Sequence, residues 1–554
     1  MKAQFRFKAV AMLTAIAVLL VACGPGSPTP VPEPTPVPEP TPVPEKVLKV
    51  ATTDFGDEKL DPGISSMDML FWTMAMFDTL FELNDDGSLA PGIVTEWEMA
   101  PDEESWIFHL RDDVVFHDGS KMTAEDVAFS YERVVSEEGF FINEWMFLLG
   151  EEPKTEVIDD YTVRIYTNGP QPLLPLASSK YRPSMSVVPK AYIEEHGVDY
   201  FREHPIGTGP YKFVRMDSGD QLELQKVDYQ HWSGVEPEFD RIIVYDIPEE
   251  TTQAFMLQSG ELDAMMVSLQ AAMDLKEKGF DIQEGATTDT SFYFIGAYNP
   301  KAEGMPLADV RVRQALSLAI NRQELIDTLT GGFGRLTAMP RVYWQVPDFT
   351  PALRTKWQAW VDENYRYDPD EARRLIEEAG YADGFDFEVW LPTDSDIPYQ
   401  GDLVEVCLGY WEQVGAHATV IPVDTAVYKA NRNSTTSDEL IGKMGVEGGA
   451  MVHFSTVMEF DRYAGFGSLD LLEGSPERDT MQALFGEGMF NTDPARQEEI
   501  IDEMIDLATS TWVGLEIIGT PVLFAFGPRV QATLPSYAPA LGPFMAEWKY
   551  TGEE

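Results

Sequence analysis

The sequence predicts an α/β protein built of more than one lobe, and three observations lead to this prediction. The chain has 554 residues, which is too many for a single hydrophobic core. Short apolar runs typical of buried strands recur along it, as at 241–247 and 387–391. Amphipathic helices such as 403–414 lie between such runs. Because strands and helices alternate rather than segregate, we expect mixed α/β layers.

The strands are read from apolar runs and the turns that bound them. Tyr211 to Met216 and Gln221 to Val227 flank Asp-Ser-Gly-Asp and predict a hairpin. The run RIIVYDI at 241–247 suits a buried strand. FEVWL at 387–391 and HATVIPV at 417–423 predict strands before and after one helix.

The helices are read from their apolar spacing and their caps. Thr123 with Asp126 resembles a capping box that opens a helix. Asp368 followed by Pro369 predicts another helix start. Cys407 lies on the apolar side of the 403–414 helix, so we expect a buried thiol there.

The N-terminus has the features of a secretory leader. Residues 1–22 combine a basic start with a short apolar stretch, and Leu-Val-Ala precedes Cys23. This arrangement resembles a bacterial lipobox, which predicts cleavage before Cys23 and lipidation of its thiol. An ordinary signal peptide or a short membrane anchor is the alternative. Residues 23–45 contain PTPVPE three times, which predicts an extended polyproline spacer with a reach of roughly 56 Å.

Composition excludes several classes of protein. The formal net charge of −53 argues against binding to nucleic acid, which requires a cationic surface. The sequence contains no phosphate-binding loop, no GxSxG motif and no HExxH motif, and its seven histidines show no spacing typical of zinc ligands. We therefore expect no metal, no cofactor and no catalytic residues.

Five blocks, in order along the chain, carry a resemblance to a known family. The chain is similar to solute-binding protein family 5, the extracytoplasmic receptors of peptide- and nickel-type ABC importers. The blocks are LAPGIVTEWEMAPDEESWIFHLRDDVVFHDGSKMTAEDVAFSYERV (89–134), HPIGTGPYKF (204–213), LQSGELDAM (257–265), PLADVRVRQALSLAINRQELI (306–326) and YDPDEARRLIEEAGYADGF (367–385).

The resemblance implies a type II periplasmic-binding-protein fold, with two lobes, a cleft between them and an additional inserted domain. In this fold a hinge closes the lobes on the solute, and the closed form docks on the membrane permease. On this basis we expect the following division: lobe I at 46–85, 205–290 and 508–554, the additional domain at 86–204, and lobe III at 291–507.

The resemblance also implies where the solute binds. Peptide binders of the family have an aspartate in a cleft segment, which pairs with the peptide's amino group. The matching segment here, 439–460, contains no aspartate, and Glu447 is the acid near its centre. We expect Glu447 to take that role or the solute to be uncharged, with Gly445 and its neighbours letting the ligand approach the backbone. Met451 and His453 are further candidate contacts.

Aromatic residues are the remaining candidates for the wall of the cleft. We select them by their position in the implied fold. Aromatic walls with few polar groups are typical of small-molecule sites. The candidates are Phe71, Trp72, Tyr293, Tyr298 and Trp344.

The predicted function is therefore capture of a peptide, an oligosaccharide or another small molecule for an ABC importer. The expected partners are the solute and the permease and ATPase subunits, and we expect a monomer tethered to the outer side of the cell membrane. Two alternatives stay open at this point: a lipid-anchored extracytoplasmic hydrolase, and a solute receptor for signalling.

Overall fold

A ten-stranded mixed sheet runs through the centre of the structure. The computed structural model describes residues 45–552, apart from 57, 66–68, 70–71, 85–86, 136–141, 153, 182, 337–348, 394–399, 433–437, 451–454, 465–469 and 535–541. The order of the strands in this sheet is β14-β13-β15-β12-β16-β11-β1-β10-β9-β8. The strands of the described residues are β1 Val47–Thr52, β2 Phe81–Leu83, β3 Leu89–Pro91, β4 Val94–Met99, β5 Ser105–Leu110, β6 Thr155–Asp159, β7 Thr162–Tyr166, β8 Tyr211–Asp217, β9 Gln221–Lys226, β10 Arg241–Asp246, β11 Ala264–Val267, β12 Asp281–Ile295, β13 Phe385–Pro392, β14 Ala416–Val423, β15 Lys443–Ala450, β16 Gly514–Phe526, β17 Val530–Gln531 and β18 Lys549–Tyr550.

The helices pack around this sheet and around a smaller one. They are α1 Ala124–Val134, α2 Ile142–Leu148, α3 Leu174–Ala177, α4 Lys190–His196, α5 Val198–Glu203, α6 Glu250–Ser259, α7 Leu269–Glu277, α8 Val310–Leu318, α9 Arg322–Leu329, α10 Pro351–Asn364, α11 Pro369–Glu378, α12 Gln400–Glu412, α13 Thr425–Arg432, α14 Asp461–Ala464, α15 Arg478–Phe490 and α16 Pro494–Thr511. Within the described part of the chain, every helix is too short or too polar to span a membrane.

Two long strands join the halves of the large sheet. β12 and β16 pair with each other antiparallel over most of their length. The end of β16 at Leu523–Phe526 also pairs with β11, and the other half of β12 pairs with β15. β16 is buried along nearly all of its length, as an apolar strand at the middle of a sheet must be.

A separate antiparallel sheet, in the order β4-β5-β7-β6, lies between β1 and β8 in the sequence. Helix α1 packs against β6 and β7 of this sheet. The helix begins as the sequence predicts, because the backbone N–H of Thr123 donates to the carboxylate of Asp126 at 2.8 Å.

The described residues form three apolar cores that hold these layers together. One contains residues between Leu80 and Val187 together with residues between Phe292 and Ile518. A second joins the strands around β1, β9 and β10 to the C-terminal segment near Trp548. A third, smaller core lies under α6 and α7 and includes Phe333.

Several local predictions are confirmed. β8 and β9 form the expected hairpin, and Gly219 in its turn has a φ of +65°. Asp368 caps the N-terminus of helix α11, and its carboxylate accepts from the Glu371 N–H at 3.1 Å. Cys407 on α12 is fully buried, and burial raises the pKa of its thiol to about 12.

The Gly-Thr-Gly-Pro-Tyr segment is fixed by close packing. A Cβ at Gly207 would lie 2.2 Å from the Met76 carbonyl oxygen, and one at Gly209 would lie 2.6 Å from the Met76 carbonyl carbon. Neither glycine has a positive φ. Close contact between two backbones, rather than a turn dihedral that other residues cannot adopt, therefore explains both glycines.

His117, which lies between β5 and α1, joins this part of the chain to the packed turn. Its ring Nδ1 accepts from the Gly207 N–H at 3.2 Å, and Nε2 donates to the Gly209 carbonyl at 3.0 Å. This pair of bonds requires the neutral imidazole, since a protonated ring has no acceptor. Burial lowers the pKa of His117 to about 4.

Candidate functional site

The candidate site begins where the two long strands pass from one half of the sheet to the other. The register of β12 against β16 shifts between Glu284 and Thr287, and again between Thr290 and Ser291. Such irregularities interrupt the ladder of hydrogen bonds and increase local bending and twist. The residues around Ser291 therefore lie at a structurally distinct point of the sheet.

Glu447 lies next to this point, on β15. Its backbone position is directly opposite Ser291 on β12. The residue is 8% exposed, and the Tyr428 hydroxyl donates to its Oε1 at a distance of 3.5 Å. A carboxylate removed from water in this way favours a cationic partner, because an ammonium group can replace the lost hydration with charge-assisted hydrogen bonds.

Tyr428 is held by the start of helix α13. The Asp424 carboxylate accepts from the N–H groups of Ala426 and Val427, at 2.9 and 3.1 Å, and so caps the helix. The Tyr428 ring is 2% exposed, which leaves its hydroxyl little freedom to move.

Gly445 explains how the Tyr428 hydroxyl reaches the strand. A Cβ at this position would lie 2.4 Å from the Tyr428 Oη and 2.8 Å from the Ile295 side chain. The expectation that Gly445 leaves room for a ligand is therefore wrong, because Tyr428 occupies that space.

The predicted aromatic candidates lie at different places. Tyr293 on β12 is 1% exposed and pairs with Gly445 across the strands. Tyr298 is partly buried, accepts from the Arg313 guanidinium at 3.2 Å and stacks beneath it. Trp72 is 3% exposed in the core around β1, β9 and β10. Contact of these three with a ligand stays a prediction.

The other predicted site residues lie outside the described part of the chain. They are Cys23, Phe71, Trp344, Met451 and His453. Among the described residues, no cluster of three or more histidine, cysteine or acidic side chains has the geometry of a metal site.

Ser291 and Tyr428 are the neighbours of Glu447 that the sequence did not identify. Identifying Ser291 as a neighbour requires the register of β12 against β15, and these two strands are far apart in the chain. The sequence indicates Tyr428 only indirectly: a glycine within a strand, here Gly445, suggests that another group packs closely against the backbone at that position.

The loop after β1 is anchored to helix α1. Asp61 is fully buried, and the guanidinium of Arg133 on α1 donates to both of its carboxylate oxygens. The Asp61 Oδ1 also accepts from the Gly63 N–H at 3.2 Å. The LDPG turn at residues 60–63 is thus held by a bidentate ion pair.

Comparison with known proteins identifies the family. The family model for bacterial extracellular solute-binding proteins, family 5 Middle, matches residues 88–449. The chain is 25% identical over 393 residues to the dipeptide-binding protein of Escherichia coli K12, a match that covers 66% of this chain and 70% of that protein. It is 25% identical over 369 residues to heme-binding protein A of Haemophilus influenzae, covering 62% of this chain and 63% of that protein.

Solved structures show the same fold. The structure of NikA from Brucella suis in complex with Fe(III)-EDTA superimposes with a TM-score of 0.76 at 18% identity, covering 92% of this chain and all of that chain (100%). The Listeria monocytogenes substrate-binding protein CtaP gives a TM-score of 0.75 at 18% identity, covering 92% of this chain and 99% of that one. The predicted fold, with two lobes and an inserted domain, is confirmed. Since the family model covers more than half of the sequence, the chain belongs to the bacterial extracellular solute-binding proteins of family 5.

Proposed function

We propose that this protein captures an amino-bearing solute of peptide type outside the cytoplasm and delivers it to the permease of an ABC importer. Family membership confirms that the chain is a binding protein rather than an enzyme. The names of relatives range from dipeptide and glutathione to heme, so the solute class must be argued from this chain's own residues.

The observation that carries the proposal is the buried carboxylate of Glu447. It lies on β15 opposite Ser291, at the point where the two long strands cross between the halves of the sheet. A peptide's α-ammonium group would form charge-assisted hydrogen bonds with such a carboxylate, whereas a neutral sugar would offer only the weaker hydrogen bonds of its hydroxyl groups. The Tyr428 hydroxyl holds the carboxylate and contributes to its orientation.

The lobes of the receptor follow from the same strands. We propose lobe I at 46–85, 205–290 and 508–554, the additional domain at 86–204, and lobe III at 291–507, with closure by bending of β12 and β16. The register shift after Glu284 supports this hinge. The separation of the apolar cores supports a division between lobe I and the rest, because two cores contain mostly lobe I residues.

Tethering to the membrane is a further part of the proposal. Residues 1–22 act as a signal peptide, Cys23 carries the lipid, and residues 23–45 are the spacer. Two or more acyl chains would give stable anchoring, where one would not. Mass spectrometry of the mature N-terminus tests this, and an uncleaved leader or an unmodified Cys23 would contradict it.

The test of the solute class uses calorimetric titration of the mature protein. A small set of dipeptides that differ in side chain is compared with their N-acetylated forms, which lack the ammonium charge. We expect binding of at least one free dipeptide and a loss of roughly a hundredfold in affinity on acetylation, since a buried charge pair is broken. Glu447→Gln should reduce the affinity for the free dipeptide by a similar factor.

Glu388→Gln is the matched control. Glu388 lies on the neighbouring strand β13, is half-exposed and pairs with Lys443, so its removal should leave dipeptide affinity unchanged. Equal binding of free and acetylated dipeptides would refute the amino-group proposal. Binding of free dipeptides that survives Glu447→Gln would remove Glu447 from its role.

A further inference from the structure

A cavity of about 610 Å³ lies in the part of the chain proposed as lobe III, and Glu447 is not among its lining residues. It is bounded by α9, by α10 and the residues that follow it, and by the segment Gly334–Leu336. Its described lining consists of Asn321, Arg322, Gln323, Ile326, Gly334, Arg335, Leu336, Gln358, Val361, Asp362, Tyr365, Arg366 and Tyr367. Its volume is in the range of small-molecule sites.

Arg322 is the feature that distinguishes this cavity. The residue is 2% exposed, and its guanidinium donates to the carbonyls of Glu516 and Ser317 and to the Ser317 hydroxyl, each at 3.0 Å. Within the described residues, no carboxylate lies at ion-pair distance from it. The buried Glu516 carboxylate attracts the Arg322 charge from beyond ion-pair distance, but burial outweighs this attraction and lowers the pKa of Arg322. An anion in the cavity would offset the remaining cost of burying this cation.

The other charged residues around the cavity also favour an anionic ligand. Its described lining contains three arginines and one aspartate, in a chain whose net charge is −53. The aspartate, Asp362, accepts a hydrogen bond from Gln358 at 2.8 Å. Arg335 pairs with Glu284 while both side chains are more than one third exposed, so this pair is weak and open to competition from another anion.

The rest of the lining is suited to an apolar group. Ile326, Leu336 and Val361 contribute aliphatic surface. The centroid of the Tyr365 ring lies 4.1 Å from the Arg322 guanidinium. The same ring packs against Trp360, with 5.3 Å between the two ring centroids. The Arg322 charge therefore lies beside an aromatic surface rather than beside water.

We propose that this cavity is a second binding site, which takes a small organic carboxylate with an apolar body. The carboxylate is held by the guanidinium groups of Arg322 and Arg335, whose planar forks match its two oxygens. The apolar body lies against Ile326, Val361 and Tyr365. Glu447 does not line this cavity, so the second site and the proposed solute site use different residues.

Benzoate is a suitable probe, with the isosteric neutral benzamide as its comparison. Binding is followed by ligand-observed NMR titration of the mature protein. We expect saturable benzoate binding and an affinity for benzamide weaker by roughly tenfold or more, because the charge-assisted bonds to arginine are lost. Arg322 is buried and its replacement risks unfolding the chain, so Arg335→Gln is the variant of choice, and it should weaken benzoate binding by roughly tenfold.

Arg373→Gln is the matched control, since Arg373 is an exposed arginine on α11 that pairs with Asp370. Its removal should leave benzoate binding unchanged, and Glu447→Gln should also leave it unchanged. Absence of saturable binding, equal binding of benzoate and benzamide, or equal losses in the Arg335 and Arg373 variants would overturn the proposal. Loss of benzoate binding in Glu447→Gln would place the probe in the solute site and overturn it as well.

Discussion

Acid should destabilise this protein through His117. The folded structure uses the neutral ring, which accepts from the Gly207 N–H and donates to the Gly209 carbonyl. The pKa of His117 falls from 6.5 to about 4 on folding, chiefly because burial disfavours the charged ring. The unfolded chain therefore binds the proton more tightly than the folded chain does.

The sign and size of the effect follow from linkage. Because the unfolded state binds more protons between the two pKa values, stability is complete above about pH 6.5 and falls as the pH drops towards about 4. A difference of about 2.5 pKa units corresponds to about 3 kcal/mol, of which about 2.5 kcal/mol is already lost at about pH 4.5.

The assay is urea denaturation of the wild-type protein and of His117→Gln, at about pH 7.5 and about pH 4.5. Between these pH values the free energy of unfolding of the wild-type protein should fall by about 2.5 kcal/mol more than that of the variant. The other titrating groups contribute equally to both proteins and therefore cancel in the difference. His417→Gln is the control, because His417 is exposed beside Glu412, which raises its pKa; its stability contribution is lost as the pH rises, not as it falls. Equal acid losses in wild type and His117→Gln would refute the reasoning, as would an NMR titration that gives His117 an ordinary pKa.

Three further predictions concern packing. Gly207→Ala should lower the free energy of unfolding, measured by urea denaturation, by more than about 3 kcal/mol or prevent folding, because the added Cβ would lie 2.2 Å from the Met76 carbonyl oxygen. Gly409→Ala in α12 is the control: no atom lies within 4 Å of its added Cβ, so it should raise the free energy of unfolding by about 0.5–1 kcal/mol. Asp61→Asn should cost about 3 kcal/mol by the same measurement, since it leaves the Arg133 guanidinium buried without its carboxylate, and a loss below about 1 kcal/mol would contradict this. Cys407, whose pKa is raised to about 12 by burial, should resist iodoacetamide at about pH 8 until urea unfolds the chain, and labelling of the folded protein would show that the thiol is accessible.

The elements of this fold were largely predictable from local sequence. The hairpin β8–β9, the two strands β13 and β14 and the cap of α11 at Asp368 each depend on residues close together in the chain. Apolar periodicity and turn chemistry act over these short distances, so the sequence carries the information directly.

The neighbours of Glu447 were not predictable in the same way. Ser291 and Glu447 are far apart in sequence and meet only through the register of β12 against β15. The helix that carries Tyr428 has no pattern that reveals which strand its hydroxyl reaches. A periodic pattern assigns a residue to a face, but pairing between distant strands is settled by the packing of the whole sheet.

The glycines show most clearly where sequence reasoning reaches its limit. Gly207 and Gly445 can each be recognised as positions that need a missing side chain, yet the cause differs from the one that the sequence suggests. At Gly207 the space is taken by the Met76 backbone, and at Gly445 by the Tyr428 hydroxyl. Because the hydroxyl that fills this space also donates to Glu447, the glycine serves the carboxylate rather than the ligand. It follows that Gly445→Ala should weaken dipeptide binding by displacing Tyr428, even though residue 445 itself need not touch the solute.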